Sequence, residues 1–130
     1  MASRYIHIFS ACSSDPQHLE EYKKNVNSWS QHNLGWEVQV IFPIVWESLI
    51  RQNPLTAKIV PHLPNTLQRM NLAKYLFLYT FGGLCVDINV QCLRSIEFVT
   101  SYACVLFDHT FKENEYIQLH VSRENKTMII

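Results

Sequence analysis

Four side chains near the middle of the chain have types and spacings suited to diphosphate chemistry. Asn71 and Lys74 stand three residues apart in a segment with an apolar stripe, so a helix would place them on one face. Asp87 and Asn89 stand two apart in an alternating segment, so a strand would place them on one face. Between the pairs lies Gly82-Gly83, a backbone that can reverse sharply. The expectation is that this reversal brings the two faces together, so that one cation, one carboxylate and two amides converge. Hard divalent cations take carboxylate, amide and carbonyl oxygens, and ions such as Mg²⁺ share their shell with substrate phosphates. The set therefore suits a divalent metal with a diphosphate.

The elements that must position these residues are legible in the pattern. Tyr5 to Phe9 reads as a first strand. Ser14-Asp15-Pro16 reads as a helix start, because Ser or Asp suits the cap and Pro the first turn. Leu19, Tyr22, Val26 and Trp29 continue at helical spacing to about Gln31, and Asn33-Leu34-Gly35 ends the run. Glu37 to Phe42 alternates as a second strand, interrupted by Pro43; Ile44 to Arg51 reads as a short helix. Asn53-Pro54, Pro61 and Pro64 mark an irregular connection. The strongest helix begins at Asn65 or Thr66 and ends at Gly82-Gly83. Leu84 to Val90 follows as a strand, with Leu84, Val86, Ile88 and Val90 on one face and Cys85, Asp87 and Asn89 on the other. Ala103 to Phe107 and Tyr116 to Val121 are candidate strands; Asp108-His109 is expected in a loop. This order implies an α/β sheet with right-handed crossovers, in which ligands bind beyond the carboxyl ends of the strands.

Composition bounds the rest. The chain has 130 residues, 48% hydrophobic and 17% charged, which suits one domain over residues 1–130 with a real core. Lys plus Arg (11) equals Asp plus Glu (11), which argues against the clustered positive charge of a nucleic-acid surface. Cys12, Cys85, Cys92 and Cys104 form no C-x-x-C pair and read as buried free thiols, with a disulfide left open. The six histidines, His7 among them, show no metal-ligand spacing, and the three tryptophans read as core, with sugar stacking by Trp36 kept open. There is no G-x-S-x-G elbow, no G-x-G-x-x-G and no phosphate-binding P-loop. No signal peptide is visible, and the longest apolar run, Tyr75 to Val86, is too short to span a bilayer. A soluble chain with no membrane span is expected. The last residues, Met128-Ile129-Ile130, are apolar and read as a missing continuation.

The run from Arg69 to Val90 resembles the signature of the DXD-containing sugar transferases of glycosyltransferase family 32, roughly R-A-D-x-x-R-Y-x-x-L-x-x-Y-G-G-x-Y-x-D-x-D, a pattern shared by related α-1,4-glycosyltransferases. Tyr5 to Phe9 resembles the family's first strand, Ser28 to Glu37 its W-x-x-x-N-P-G-[WY]-E segment, and Gln91 to Ile96 the stretch after the DXD, so the likeness covers most of residues 5–100. The resemblance implies a Rossmann-like nucleotide-diphospho-sugar transferase (GT-A type) fold, incomplete at the C-terminus. It implies a UDP- or GDP-hexose donor, a glycan or glycolipid acceptor, transfer with retention, and Mn²⁺ or Mg²⁺ bridging the diphosphate. Carried over to this chain, Asp87 becomes a donor and metal ligand and Asn89 a weakened second metal ligand. Asn71 and Lys74 flank the nucleotide sugar, and Gly82 and Gly83 shape the approach. The chain departs from the pattern at Asn71 and Asn89, where the family has Asp, at Lys74 for Arg, and at Cys85 for Tyr.

Three readings follow: a metal-assisted hexosyltransferase, a catalytically inactive relic that binds or scaffolds, and an unrelated α/β interaction module. The residues leave open the sugar, the acceptor, the linkage and whether turnover occurs. Location is also open, since eukaryotic relatives face the Golgi lumen.

Overall fold

The computed structural model describes residues 4–12, 16–101, 104–108 and 118–122. Three parallel strands, β1 (Tyr5–Phe9), β2 (Glu37–Ile41) and β3 (Leu84–Asp87), form a sheet in the order β2-β1-β3. Helix α1 (Pro16–His32) connects β1 to β2; α2 (Pro43–Gln52) and α3 (Thr66–Phe81) connect β2 to β3. A short 3₁₀ turn at Val60–His62 lies between α2 and α3. Beyond β3, a 3₁₀ turn at Glu97–Ser101 precedes β4 (Cys104–Asp108) and β5 (Gln118–Ser122), which pair antiparallel with Cys104 opposite Ser122. The α/β class and the parallel sheet agree with a Rossmann-like domain. Asp108, expected in a loop, ends β4, and His109 lies outside the described residues.

Alternation along β1 sorts the core into two layers. Ile6 and Ile8 pack with Trp29 of α1, Trp36, Leu84 and Val86. Phe9 packs on the other face with Trp46 and Ile50 of α2 and with Met70, Ala73, Leu76 and Phe77 of α3. Trp46 is fully buried, and truncating it to Ala would cost about 3–5 kcal/mol from lost packing and the cavity left behind. All three tryptophan N–H groups are satisfied: Trp29 donates to the Val90 carbonyl at 3.0 Å, Trp46 to the Ser10 carbonyl at 2.9 Å, and Trp36 to Glu97 Oε2 at 2.8 Å. Trp36 is therefore core, and its ring is not offered to a sugar.

Two sequence expectations shift by local chemistry. Pro43, read as an interruption, is the first residue of α2, where its missing N–H costs nothing and its fixed φ suits the helix. Asn65 does cap α3, its side chain accepting the Leu67 N–H at 2.8 Å. β3, expected to run to Val90, stops at Asp87. Ile88 N–H makes a last bond to the Phe9 carbonyl at 3.0 Å, and Val90 N–H then turns back to the Asp87 carbonyl at 3.1 Å. Asp87-Ile88-Asn89-Val90 is thus a β-turn, with Asn in a position where such residues are favoured. Ile88 and Val90 still join the α1-side core, so the predicted face survives although the strand does not.

Candidate functional site

The strand order reverses between β1 and β3: α1 covers one face, α2 and α3 the other. A crevice at such a switch point, beyond the carboxyl ends of the strands, is where α/β sheets bind ligands. Phe9 and Asp87 are register partners at that end. Asp87 is the last residue of β3 and points to the α3 side, since Cys85, two residues back, belongs to the α2–α3 core. α3 runs antiparallel to β3, and Phe77 packs edge-on against Phe9 with centroids 5.0 Å apart. One turn nearer the carboxyl end, α3 delivers Lys74. Its Nζ donates to Asp87 Oδ1 at 2.5 Å, with the Lys side chain 7% and the Asp side chain 34% exposed.

The structure therefore brings together two of the predicted residues, Lys74 and Asp87. Asn71 lies at the same end of α3, but its side chain is exposed while Lys74 is buried, so the two do not share an environment. Asn89 is exposed on the turn and does not follow Asp87 along a strand face, because the strand has ended. Gly82 and Gly83 are further away. They precede Leu84 at the amino end of β3, the opposite end of the strand from Asp87. Their reversal is set by close packing there: both have positive φ (68° and 88°), and a Cβ on Gly83 would stand 2.4 Å from the Tyr5 carbonyl oxygen. The glycine pair shapes the α3–β3 connection, and through it the register that aligns Asp87 with Lys74.

Cys85 shows how dry this layer is. It is buried, its thiol reaches the Lys74 carbonyl at 3.7 Å, and burial pushes its pKa up to about 12, against a smaller opposing pull from the Lys74 charge. That thiol is inert at neutral pH. Cys12, Cys85 and Cys92 are all free; Cys12 is exposed just beyond β1, its N–H donating to Ser10 Oγ at 3.1 Å.

Several residues that the sequence reading passed over organise the site from behind. From α1, Asn25 Nδ2 donates to the Ile88 carbonyl at 3.4 Å, and Ser28 Oγ accepts the Cys92 N–H at 2.8 Å. Asn33 Oδ1 accepts the Ile96 N–H at 2.8 Å. These bonds hold the segment leaving the Asp87 turn. Arg69, the first residue of the sequence signature, is spent on structure: it pairs with Glu47 of α2 at 3.0 Å and donates to the Leu63 and Pro64 carbonyls at 3.0 and 2.8 Å. His7 is 2% exposed among Tyr5, Phe77 and Phe81, and its Nε2–H donates to the Gly82 carbonyl at 3.0 Å. Burial holds its pKa below the ordinary value, partly offset by that bond. A lone His within the apolar strand Tyr5–Phe9 was the one sequence signal for this latch.

A solvent-open groove of about 800 Å³ lies at the other end of the sheet, lined by Arg4, His32, Leu34, Leu93, Arg94 and Glu97. Its size does not make it the site. Arg4 is already paired with Glu97, through Nε at 3.0 Å and through Nη2, and Asp87 and Lys74 are not among its walls.

Among the described residues, no group of three or more His, Cys, Asp or Glu side chains is arranged to hold a metal ion. The donor set that sequence reading offered to Mn²⁺ or Mg²⁺ consists of one carboxylate already neutralised by a buried ammonium and one exposed amide. An ion that shares its shell with substrate phosphates still takes one or two free carboxylates, and with Asp87 held by Lys74 these residues do not by themselves fit a resident divalent cation.

A family model described as the glycosyltransferase sugar-binding region containing the DXD motif matches residues 19–117, from within α1 through α3, the glycine pair and Asp87. No curated protein and no solved structure matches the chain. No helix among the described residues is long and apolar enough to cross a membrane.

Proposed function

Because the chain belongs to the family of glycosyltransferase sugar-binding regions containing the DXD motif, we propose that the carboxyl ends of β1 and β3, around Asp87, bind the hexose and diphosphate of a UDP- or GDP-hexose, for transfer to a glycan or lipid acceptor. One observation carries this reading: Asp87 stands at the switch point, oriented by Lys74 and still a third open to solvent. A carboxylate has about four acceptor positions, and Lys74 engages one oxygen. The remaining positions can accept sugar hydroxyls, with Asn71 and Asn89 at the rim as amide partners. Gly82 and Gly83 act indirectly, by holding β3 in register. Membership in the family sets aside the reading as an unrelated interaction module.

A second reading, a binding protein that has lost turnover, is favoured by Asn89 standing exposed where the family carries its second acid. One titration separates the two. UDP- and GDP-hexoses are added while tryptophan fluorescence and release of free nucleotide are followed. The reporters are well placed, since Trp46 and Trp29 bind the carbonyls of Ser10 and Val90, on the loops flanking Asp87. Saturable binding with nucleotide release supports the transferase. Binding without release supports the relic. No binding to any donor, with Asp87→Ala unchanged from the parent, overturns both.

A further inference from the structure

The donor-site reading leaves a question of charge. A nucleotide-sugar diphosphate brings negative charge, and the acidic motif of such a site ordinarily gathers a cation to meet it. In this chain Asp87 already has one, 2.5 Å away and covalently part of the protein. We infer that Lys74, at the position where the family has Arg, holds the one acid left in the motif, so that with Asn89 in place of the second acid the site binds no divalent ion of its own and takes its nucleotide sugar without metal. The inference rests on the donor-site reading, but its central claim concerns Lys74, Asp87 and a bare metal ion.

Three observations support it. The ammonium is nearly enclosed, 7% exposed, so it is held in place and does not swing away as a surface lysine would. Its anchor is dry and rigid: the Lys74 carbonyl faces the buried Cys85 thiol, and Ala73 and Phe77 on either side are core. The pair is also net neutral. The ammonium beside Asp87 Oδ1 repels a second cation brought to the same carboxylate. An incoming Mn²⁺ would have to displace the lysine into an apolar layer that offers it no other described acid. Asn89 adds a neutral oxygen at the rim, which cannot tip that balance.

The probe is Mn²⁺ alone, followed by electron paramagnetic resonance on the full chain. The parent should leave the free-ion spectrum unchanged, and Asn89→Asp alone should change it little, since Lys74 still occupies Asp87. Lys74→Met with Asn89→Asp frees one carboxylate and adds another, and should bind Mn²⁺ at least about tenfold more tightly than Asn89→Asp, which keeps the repelling ammonium. Circular dichroism checks that the double variant folds, and Lys74→Gln serves in place of Lys74→Met if it does not. Mn²⁺ binding by the parent that Asp87→Asn removes would overturn the inference. So would an Asn89→Asp variant that binds as well as the double variant, or a folded double variant as silent as the parent. Nucleotide-sugar titrations with EDTA and with Mn²⁺ keep this separate from the donor-site reading. A donor that binds only with Mn²⁺ sinks the inference and spares the transferase. A chain that binds no donor in either condition sinks the transferase, while the Mn²⁺ spectra still decide the role of Lys74.

Discussion

The two ends of the sheet carry similar ingredients in opposite arrangements. At the amino end, Arg4 and Glu97 meet in the open, with side chains 43% and 48% exposed, while the His7 imidazole is buried and Gly83 is packed tight against the Tyr5 backbone. At the carboxyl end, the ion pair is the packed element, with Lys74 at 7%, and the amides Asn71 and Asn89 stand outside. The difference lies in which group the fold has desolvated. An exposed pair gains little, because water and salt screen it and ordering two long side chains costs entropy. A buried ammonium must keep its partner, because it has lost its water. The amino end is therefore locked by backbone and shape, and the carboxyl end by charge, which is the kind of lock a polar ligand can address.

The largest expected effect tests the amino end. Gly83→Ala puts a Cβ 2.4 Å from the Tyr5 carbonyl oxygen at a φ of +88°, so urea unfolding should show a loss of about 3 kcal/mol or more. A variant as stable as the parent would mean that the bend is not locked by shape. Next comes the carboxyl end. Asp87→Asn leaves the Lys74 ammonium enclosed without a counter-charge and should cost about 2–3 kcal/mol, below the 3–5 of a fully enclosed pair because Asp87 is 34% open. Lys74→Met should cost less, since the carboxylate left behind can rehydrate; the reverse order would show that the two burials are misjudged. Gly35→Ala separates backbone strain from collision: φ is +87° but nothing stands within 4 Å, so about 1–2 kcal/mol is expected.

A smaller effect is a slope with pH. The folded-state pKa of His7 is lowered, so its contribution is fully present above the unfolded value of about 6.5 and is lost as pH falls through the folded value. Stability should therefore decline on acidification below that point, and His7→Phe should flatten the decline in denaturant melts collected across that range. The smallest effect is Arg4→Met. Its melting temperature should stay close to the parent's and be insensitive to salt; a large drop would erase the contrast between the two ion pairs. Glu97 is a different case, because it also accepts the Trp36 N–H.

Much of this architecture was legible. The period of the apolar residues placed every helix of the sheet layer, the Asn65 cap and the stop at Gly82-Gly83. It also sorted Leu84, Val86 and Ile88 from Cys85 and Asp87, and that sorting appears as two separate core layers. The likeness around Asp87 reached the family. Of the four side chains expected to converge, Lys74 and Asp87 are in hydrogen-bond contact, while Asn71 and Asn89 are exposed. Helical spacing places Asn71 and Lys74 near each other, but only the packing of α3 on the sheet decides which of them is buried.

Local patterns thus settled element type, strand face and the acid at the strand's end, because φ/ψ preference and apolar period are written in neighbouring residues. Tertiary structure decided where β3 stops, what the glycines pack against, and that Asp87 meets a buried ammonium. Those outcomes depend on partners distant in the chain: the Phe9 carbonyl that takes the last ladder bond, the Tyr5 carbonyl against Gly83, and the apolar layer that strips water from Lys74. Desolvation is a property of the assembled core, and no spacing of residues along the chain states it in advance.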